Sequence, residues 1–450
     1  MKENDKIYLD IKRIGINGEG IGYYNRLAIF VPNAIPGDRV CVTITKLENK
    51  MAYAKIESFE KKSDSRETPL CKYYEDCGAC NTMHIKYDEM LKIKRDLVIE
   101  ALSRYTKINY RAFEIRQTMP SKSFGYRNKS QMIVANNNDK FQTFMIKENS
   151  NISIPVDNCL VNDEVINELN TKILEIASKL KITSYDYKTK TGTLKYLTIR
   201  VNEKKEALVC FVCYQKDDKI KALAKEVIKL DNVKSVYENL NYENKRNVIY
   251  GEKSIFLEGD EYLLYTVNNI KYSLTPTTFF QLNSYQVGNL FEAILKNLKL
   301  SGKETVLDAY CGVGAIGLYV AKRAKEVIGI EYNKDSVVQA NLNAKLNKIK
   351  NASFIQGDIN KLLPEVLKDK QFDSIVVDPP RTGLGQDFIN TILKTKINRI
   401  VYVSCNPATL AKDLEILKDT YDIKSISVLD MFPNTVHVES ISLLVRKDAK

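Results

Sequence analysis

Strand-like and helical segments alternate along the last 180 residues of the chain. Five short apolar runs alternate with stretches of helical periodicity, and they begin at Thr305, Glu326, Ala352, Phe372 and Arg399. This alternation is typical of parallel strands joined by helices that pack on the sheet. It predicts an α/β fold in which residues 271–450 form a doubly wound, Rossmann-like domain.

Polar side chains stand at or just beyond the carboxyl ends of these five runs. They are Asp308, Glu331, Asp358, Asp378 and Cys405. Ligands of open α/β sheets bind at the edge where the parallel strands end, so we expect these side chains to converge on one site.

The first 60 residues read as short strands separated by turns rich in Gly, Pro and Asn. They predict a small five-stranded, OB-like β-barrel over residues 1–60. A polar linker follows, and residues 87–105 have the spacing of an amphipathic helix with a basic outer side. Strand-like and helical stretches then mix, so residues 61–270 are predicted to form a mixed α+β central domain.

Basic residues outnumber acidic ones, 68 to 56, which gives a net charge of +12. Residues 91–130 alone hold ten basic and three acidic side chains. Such a surplus attracts polyanions and makes nucleic acid a candidate partner. No apolar stretch approaches the roughly 18 residues of a membrane-spanning helix, and the amino terminus lacks a signal-peptide pattern. We therefore expect a cytoplasmic protein with no membrane partner.

Nine cysteines and only two histidines are present. In a chain expected in the cytoplasm, cysteines argue for a metal site or a reactive thiol rather than for disulfides. Cys71, Cys77 and Cys80 are separated by five and two residues, and Cys159 follows later. Four thiolates suit zinc as well as an iron–sulfur cluster, so both stay open. By contrast, Cys210 and Cys213 lie in one strand-like run and are expected on opposite faces of a core strand.

Gly312-Val-Gly-Ala-Ile-Gly317 follows the first apolar run, and Glu331 stands 19 residues after Gly312. This spacing fits a cofactor that contains a nucleoside, because glycines allow close backbone approach and the acid accepts hydrogen bonds from ribose hydroxyls. It does not distinguish a nicotinamide dinucleotide from S-adenosylmethionine.

Two further motifs give the chain a family resemblance: Asp378-Pro-Pro-Arg381 and Ser404-Cys-Asn-Pro407. With them the sequence resembles the S-adenosylmethionine-dependent RNA uracil-5 methyltransferases, from a TRAM-like amino-terminal barrel to residues 430–439. Within this family it is similar to the iron–sulfur members that act on 23S ribosomal RNA. The resemblance implies a methyltransferase domain over residues 271–450 and a likeness of residues 1–60 to RNA-binding TRAM modules.

The resemblance and the chemistry together assign the catalytic residues. C5 of uracil becomes nucleophilic when a thiolate adds to C6, and Cys405 is the candidate nucleophile. After methyl transfer a base must remove the C5 proton, a role that the resemblance gives to Glu439. An extended segment would place Thr435, His437 and Glu439 on one side. Asn434 departs from the family pattern, which often has His there.

The resemblance also implies which residues bind cofactors. It assigns S-adenosylmethionine to Gln281, Tyr310, Glu331 and Asp378, with Asp358 facing the adenine amino group. It assigns a [4Fe-4S] cluster, with zinc as the alternative, to Cys71, Cys77, Cys80 and Cys159.

Aromatic and basic side chains interleave in Phe124-Gly-Tyr-Arg-Asn-Lys129, a pattern suited to unpaired RNA. We therefore expect a monomeric enzyme that acts on 23S ribosomal RNA. Transfer RNA is the rival substrate, RNA cytosine-5 methylation is a rival reaction, and a non-catalytic RNA-binding protein is a third alternative. The cytosine reaction is disfavoured because those enzymes usually also place a cysteine in the motif that here reads Asp378-Pro-Pro-Arg381. A nicotinamide oxidoreductase is disfavoured because Cys405 and Glu439 would be left without roles.

Overall fold

The computed structural model describes residues 1–137, 140–147 and 150–448. It divides into two compact units. Unit 1 comprises Met1–Ser123, Pro379–Ile389 and Tyr402–Lys450, and unit 2 comprises Phe124–Asp378 and Asn390–Val401. The predicted domain boundaries near residues 60 and 270 stay a prediction. Among the described residues, no helix combines the length and apolar character that crossing a membrane requires.

The elements follow one another along the chain with these bounds. The strands are β1 (Lys6–Ile14), β2 (Gly20–Tyr24), β3 (Leu27–Val31), β4 (Arg39–Leu47), β5 (Met51–Lys61), β6 (Glu114–Met119), β7 (Lys129–Asn137), β8 (Lys140–Ile146), β9 (Ser153–Pro155), β10 (Leu194–Val201), β11 (Ala207–Cys213), β12 (Val233–Leu240), β13 (Lys253–Gly259), β14 (Leu263–Val267), β15 (Ile270–Leu274), β16 (Thr305–Ala309), β17 (Glu326–Glu331), β18 (Ala352–Gln356), β19 (Ser374–Val377), β20 (Arg399–Ser404), β21 (Tyr421–Leu429) and β22 (Glu439–Arg446). The helices are α1 (Tyr74–Cys77), α2 (Tyr87–Tyr105), α3 (Glu164–Lys179), α4 (Asp218–Val227), α5 (Val287–Leu298), α6 (Ala315–Ala321), α7 (Lys334–Leu346), α8 (Ile359–Asp369), α9 (Gln386–Leu393) and α10 (Pro407–Leu417).

The amino-terminal strands close into a barrel in the order β1-β2-β3-β5-β4, which confirms the predicted five-stranded barrel. Alternate residues of β1 are buried, as expected of a strand with one face on a core. Closure leaves no unpaired strand edge. The segment that follows the barrel is anchored to it, because Arg66 donates two hydrogen bonds to the buried Asp38 carboxylate.

Unit 1 continues with α2, whose bounds are those predicted for the amphipathic helix. Its buried face includes Met90, Leu97 and Leu102, as the spacing predicts. Two side chains depart from the pattern of an apolar inner side and a basic outer side. Tyr105, at the last turn, is 38% exposed, and Lys94 is fully buried. Later in this unit β21 pairs with β22 antiparallel and with β6 in parallel.

Unit 2 begins with a seven-stranded sheet in the order β13-β12-β11-β10-β7-β8-β9. Residues of α3 and α4 share a hydrophobic core with one face of this sheet. Cys213 belongs to that core and Cys210 to the core on the other face, which confirms their predicted placement on opposite faces. These elements make residues 124–260 the mixed α+β part of the chain.

In unit 2, β14 and β15 form a separate antiparallel pair, and β16 to β19 belong to the predicted parallel sheet. β17 pairs in parallel with β16 and β18, and β16 pairs in parallel with β19. β20 follows β19 in strand order, and the chain passes from unit 2 to unit 1 within β20. Helices α6, α7 and α8 follow β16, β17 and β18 along the chain. The predicted α/β fold class is therefore confirmed, whereas the bounds 271–450 of the domain stay a prediction.

Candidate active site

The turn between β16 and α6 has a strained backbone that opens a space beside it. Tyr310, Gly312 and Gly314 have φ values of 65°, 54° and 74°. Glycine adopts this left-handed conformation freely, whereas a tyrosine does so at a cost. A Cβ added to Gly312 would meet no atom within 4 Å, so the turn borders open space there. A Cβ added to Gly314 would lie 2.7 Å from the Phe354 ring, so that glycine is required for packing.

Glu331 stands at the end of β17 and borders this turn. Its Oε2 atom accepts a hydrogen bond of 3.0 Å from the Gly312 amide, and its Oε1 atom accepts one of 2.8 Å from the Asn333 amide. The carboxylate is thereby held beside the open space with lone pairs to spare. This is the placement that a ribose diol requires of its acceptor.

Asp308, near the end of β16, is 1% exposed, and its Oδ2 atom accepts a 2.7 Å hydrogen bond from the Gly317 amide. Its Oδ1 atom is buried and has no hydrogen-bond partner among the described residues. Burial, together with the nearby charges of Asp378 and Glu331, raises the pKa of Asp308 to about 8, although the Gly317 hydrogen bond acts in the opposite direction. The sequence placed Asp308 at the ligand edge without a role, and the structure gives it one in holding the start of α6.

Asp378 follows β19 directly, and its Oδ2 atom lies 3.4 Å from the Gln281 side-chain nitrogen. Burial raises the pKa of Asp378 to about 7. The structure thus brings two of the predicted cofactor residues, Gln281 and Asp378, into contact within unit 2.

The segment that carries Gln281 is held by side chains of strands β7 and β10 and of the residue just before β7. Asn128 Nδ2 donates to the Gln281 carbonyl at 3.0 Å, and Lys129 Nζ donates to the Pro276 carbonyl at 2.8 Å. Arg200 Nη2 donates to the Thr278 carbonyl at 2.7 Å.

These contacts correct the interpretation of residues 124–129 as an exposed RNA contact. Tyr126, Asn128 and Lys129 are all less than 9% exposed. The interpretation is wrong for these three residues, because alternating aromatic and basic side chains serve a buried packing role as readily as a surface one. No local signal separated the two, since burial here depends on the distant segment around Gln281.

Asp358 is the N-cap of α8, and its carboxylate accepts a 2.9 Å hydrogen bond from the Asn360 amide. This contact satisfies one of the amide groups left open at the helix start. Its proposed contact with adenine stays a prediction.

In unit 1, Cys405 lies between the end of β20 and the start of α10. Asn406 is the N-cap of that helix, and its side chain accepts a hydrogen bond of 3.1 Å from the Ala408 amide. A helix amino terminus favours negative charge, which helps a thiol there to react as a thiolate. Cys311 and Cys213 offer no such chemistry, because burial raises the pKa of each well above its ordinary value.

Arg381 links the loop that carries Cys405 to the segment that precedes Glu439. Asn406 Nδ2 donates to the Arg381 carbonyl at 3.0 Å, and Arg381 Nη2 lies 3.2 Å from His437 Nδ1. Desolvation and the charges of Arg381 and Lys94 lower the pKa of His437, so its neutral ring can accept this hydrogen bond. Sequence reasoning quoted Arg381 within a motif but gave it no role.

Glu439 begins β22 and is 4% exposed. Its neighbour Ser440 donates a 3.1 Å hydrogen bond to the carbonyl of Ser404, the residue before Cys405. The predicted nucleophile and base are therefore each one residue away from the same hydrogen bond. The predicted extended alternation is wrong, since residues 435–438 are not a strand, and His437 is exposed while Thr435 and Glu439 are buried.

Asn434 adopts a left-handed conformation with φ of 65°, which asparagine tolerates better than most residues. Its side-chain nitrogen donates to the Ser123 carbonyl at 2.7 Å. The departure from the family pattern at this position is thus compatible with a built turn.

All nine cysteines are thiols rather than disulfides. Cys71, Cys77 and Cys80 are partly buried in unit 1, and Cys159 is partly buried in unit 2. Burial raises the pKa of Cys77, and the nearby Cys71 raises it further. Four thiols are a suitable donor set, but among the described residues no three His, Cys, Asp or Glu side chains are grouped to hold a metal ion. The geometry therefore does not support the predicted cluster.

Comparison with known proteins gives the same class as the fold and the glycine turn. The family model for tRNA (uracil-5-)-methyltransferase matches residues 86–447, and the TRAM domain model matches residues 2–56. An uncharacterized RNA methyltransferase of Halalkalibacterium halodurans is 39% identical over 99% of this chain and 97% of its own. Another, of Lactobacillus johnsonii, is 35% identical over 100% of both chains.

Among solved structures, the Pyrococcus abyssi tRNA (uracil-54, C5)-methyltransferase in complex with S-adenosyl-L-homocysteine is similar with a TM-score of 0.77. The two sequences are 29% identical, and the match covers 98% of this chain and 100% of the Pyrococcus abyssi chain. The fold and the site thus define an S-adenosylmethionine-dependent RNA methyltransferase. The chain belongs to the RNA (uracil-5-)-methyltransferase family and carries a TRAM domain.

The position of Glu331 generates a prediction for cofactor binding. We expect Glu331→Gln to weaken S-adenosylmethionine binding about tenfold, which corresponds to roughly 1.4 kcal/mol, because the charged ribose acceptor is lost. Isothermal titration measures this directly. Glu326→Gln, at the other end of β17 where the carboxylate pairs with Lys370, is the matched control. Equal affinities for the two variants would contradict the assignment.

Proposed function

We propose that this enzyme transfers the methyl group of S-adenosylmethionine to C5 of uridines in 23S ribosomal RNA, through a covalent bond between Cys405 and C6. The observation that supports the mechanism is a set of hydrogen bonds in unit 1 made by the chain neighbours of Cys405 and Glu439. Asn406 donates to Arg381, Arg381 contacts His437, and Ser440 donates to the Ser404 carbonyl. Unpaired or flipped-out uridine is required, since C6 is inaccessible to a thiol inside a stacked helix.

The first step belongs to Cys405. Its thiolate, favoured by the amino terminus of α10, adds to C6 and turns the ring into an enolate with a nucleophilic C5. Bound S-adenosylmethionine supplies the electrophilic methyl group. We propose that Glu331 binds its ribose and that Gln281, Tyr310 and Asp378 make further contacts with it. Asp358 would face the adenine. Gly312 leaves the space that such a ligand needs.

The last step belongs to Glu439. Its carboxylate takes the proton from C5, the electrons of that C–H bond form the C5–C6 double bond, and the C6–S bond breaks to release Cys405. Burial of Glu439 excludes water from this transfer. The enzyme returns to its starting state once Glu439 has passed this proton to solvent and the demethylated cofactor has been replaced.

Two variants separate these steps. We expect Cys405→Ala to abolish methyl transfer and adduct formation, and Glu439→Gln to form a methylated RNA adduct that is released slowly. A denaturing gel with a radiolabelled methyl group distinguishes the outcomes. Cys41→Ala, in the barrel, is the control. Undiminished methylation by Cys405→Ala would rule out the covalent mechanism.

The choice of ribosomal RNA rests on the family resemblance, whereas the Pyrococcus abyssi relative points to transfer RNA. Transfer RNA is therefore the second candidate substrate. The basic side chains over residues 91–130, apart from the buried Lys94 and Lys129, suit either polyanion. We propose a cytoplasmic location, where both RNAs are found, and a monomer.

Nucleoside mass spectrometry of separated ribosomal and transfer RNA decides the substrate. We expect cells that lack the gene to lose 5-methyluridine from 23S RNA and regain it with the wild-type gene but not with Cys405→Ala. Loss from transfer RNA alone would keep the chemistry and replace the substrate. Loss of 5-methylcytidine instead would overturn the uracil assignment.

The [4Fe-4S] cluster on Cys71, Cys77, Cys80 and Cys159 remains a proposal from the resemblance and the thiol donor set. We expect anaerobically purified protein to be brown and to hold about four iron atoms per chain, as that cluster type requires. The quadruple Cys→Ser variant should hold none. Colourless protein with zinc in elemental analysis would replace the cluster by zinc.

A further inference from the structure

Lys94 lies in the middle of α2 and is 0% exposed, although lysine is the side chain that most resists burial. Its ammonium group makes three hydrogen bonds: 2.6 Å to Asp430 Oδ1, 3.0 Å to the Phe432 carbonyl and 2.7 Å to the His437 carbonyl. These use the full donor capacity of a lysine. All three acceptors belong to the segment that ends at Glu439.

The carboxylate of Asp430 is held as firmly. Its Oδ2 atom accepts a 2.9 Å hydrogen bond from the Tyr87 hydroxyl, at the first residue of α2. The Asp430 carboxylate is therefore fixed by two residues of the same helix, Tyr87 and Lys94, about two turns apart. Segment 430–439, defined by these residues, is tied to α2 at both of its ends.

A second set of contacts holds the middle of segment 430–439. The Asn81 side-chain oxygen accepts a 3.1 Å hydrogen bond from the Val436 amide, and the Thr82 amide donates a 3.1 Å hydrogen bond to the Asn434 carbonyl. Asn81 Nδ2 in turn donates to the Asn17 carbonyl of the barrel end. The segment contains no regular secondary structure before Glu439. Hydrogen bonds to residues outside it therefore fix its conformation.

Stability alone does not account for a buried lysine here. Desolvating two charges costs about as much as their attraction returns, and apolar pairs often replace buried ion pairs without loss. What apolar side chains cannot do is fix two carbonyl groups at defined positions. Those carbonyls stand seven residues and two residues before Glu439.

We propose that Lys94 is a positioning residue for the catalytic base: it fixes segment 430–439 so that the Glu439 carboxylate reaches the C5 proton of the methylated adduct. This inference rests on the proposed function. Lys94 has no hydrogen bond to Cys405, Asn406 or Arg381 among those described, so the addition step does not depend on it directly. Its loss should therefore slow elimination while thiolate addition and methyl transfer continue.

The test is the accumulation of a methylated RNA–protein adduct. The variant is Lys94→Met with Asp430→Asn, which removes both charges and both carbonyl contacts without leaving an unpaired buried ion. An error of about 1 Å in a catalytic group costs up to roughly 100-fold in rate, so we expect turnover to fall about 10- to 100-fold. The labelled adduct on a denaturing gel should rise at least about tenfold over wild type, as with Glu439→Gln.

A milder variant covers the case in which the double variant does not fold. Asn81→Ala removes only the contact with the Val436 amide, so we expect adduct accumulation in the same direction, about threefold to tenfold. Lys195→Met is the matched control, because Lys195 is also 0% exposed and also donates to two loop carbonyls, those of Asn241 and Glu243, in unit 2. It should leave the adduct level unchanged.

The outcomes separate this inference from the proposed function. Turnover and adduct that fall together in the folded Lys94 variant would show a purely structural role and overturn the inference. So would wild-type adduct levels in Asn81→Ala if the double variant does not fold. If Glu439→Gln itself forms no adduct, the proposed mechanism fails and this inference fails with it.

Discussion

The buried ion pair between Lys94 and Asp430 is the constraint on which unit 1 depends. Its partners are 336 residues apart in the chain, and both side chains are 0% exposed. Burying an uncompensated charge costs several kcal/mol, so neither partner can be buried without the other. The amino-terminal helix α2 and the carboxyl-terminal segment before β22 must therefore become ordered together. The segment that leads to Glu439 is thus supported by α2, which lies in the first quarter of the sequence.

Unit 2 has the opposite electrostatic problem. Asp308 and Asp378 are desolvated with no cationic side chain among the causes that shift them in the described part of the chain, and the pKa of each is raised, to about 8 and about 7. Buried acids in this state gain free energy when a positive charge approaches, because it stabilises their ionised form. In the site that we propose for S-adenosylmethionine, these acids would favour the sulfonium cation of the methyl donor over its neutral product.

The parallel strands, the barrel and the glycine turn were predictable because each depends on local periodicity and on residues with unusual backbone freedom. The burial of Lys94 was not, since a lysine within a helical pattern is normally solvated and its acceptors are distant in sequence. Lys129 was misinterpreted for the same reason: its acceptor is the carbonyl of Pro276, 147 residues away. A buried cation is decided by tertiary partners, which a single sequence does not display.

In the proposed mechanism the nucleophile and the base are supported in different ways, and the chemistry explains why. Cys405 must present its thiolate in the first step and leave as a thiolate in the last, and it stands between a central strand and a capped helix, the most regular support available. Glu439 must act only after the methyl group has arrived at C5, when the geometry of the ring has changed from planar to tetrahedral at that carbon. A base reached through an irregular segment can be placed for that later geometry, because turns impose no repeating direction on the backbone. The cost is that an irregular segment has no hydrogen-bond ladder to fix it, and the side chains of the buried Lys94 and the partly buried Asn81 supply the missing contacts.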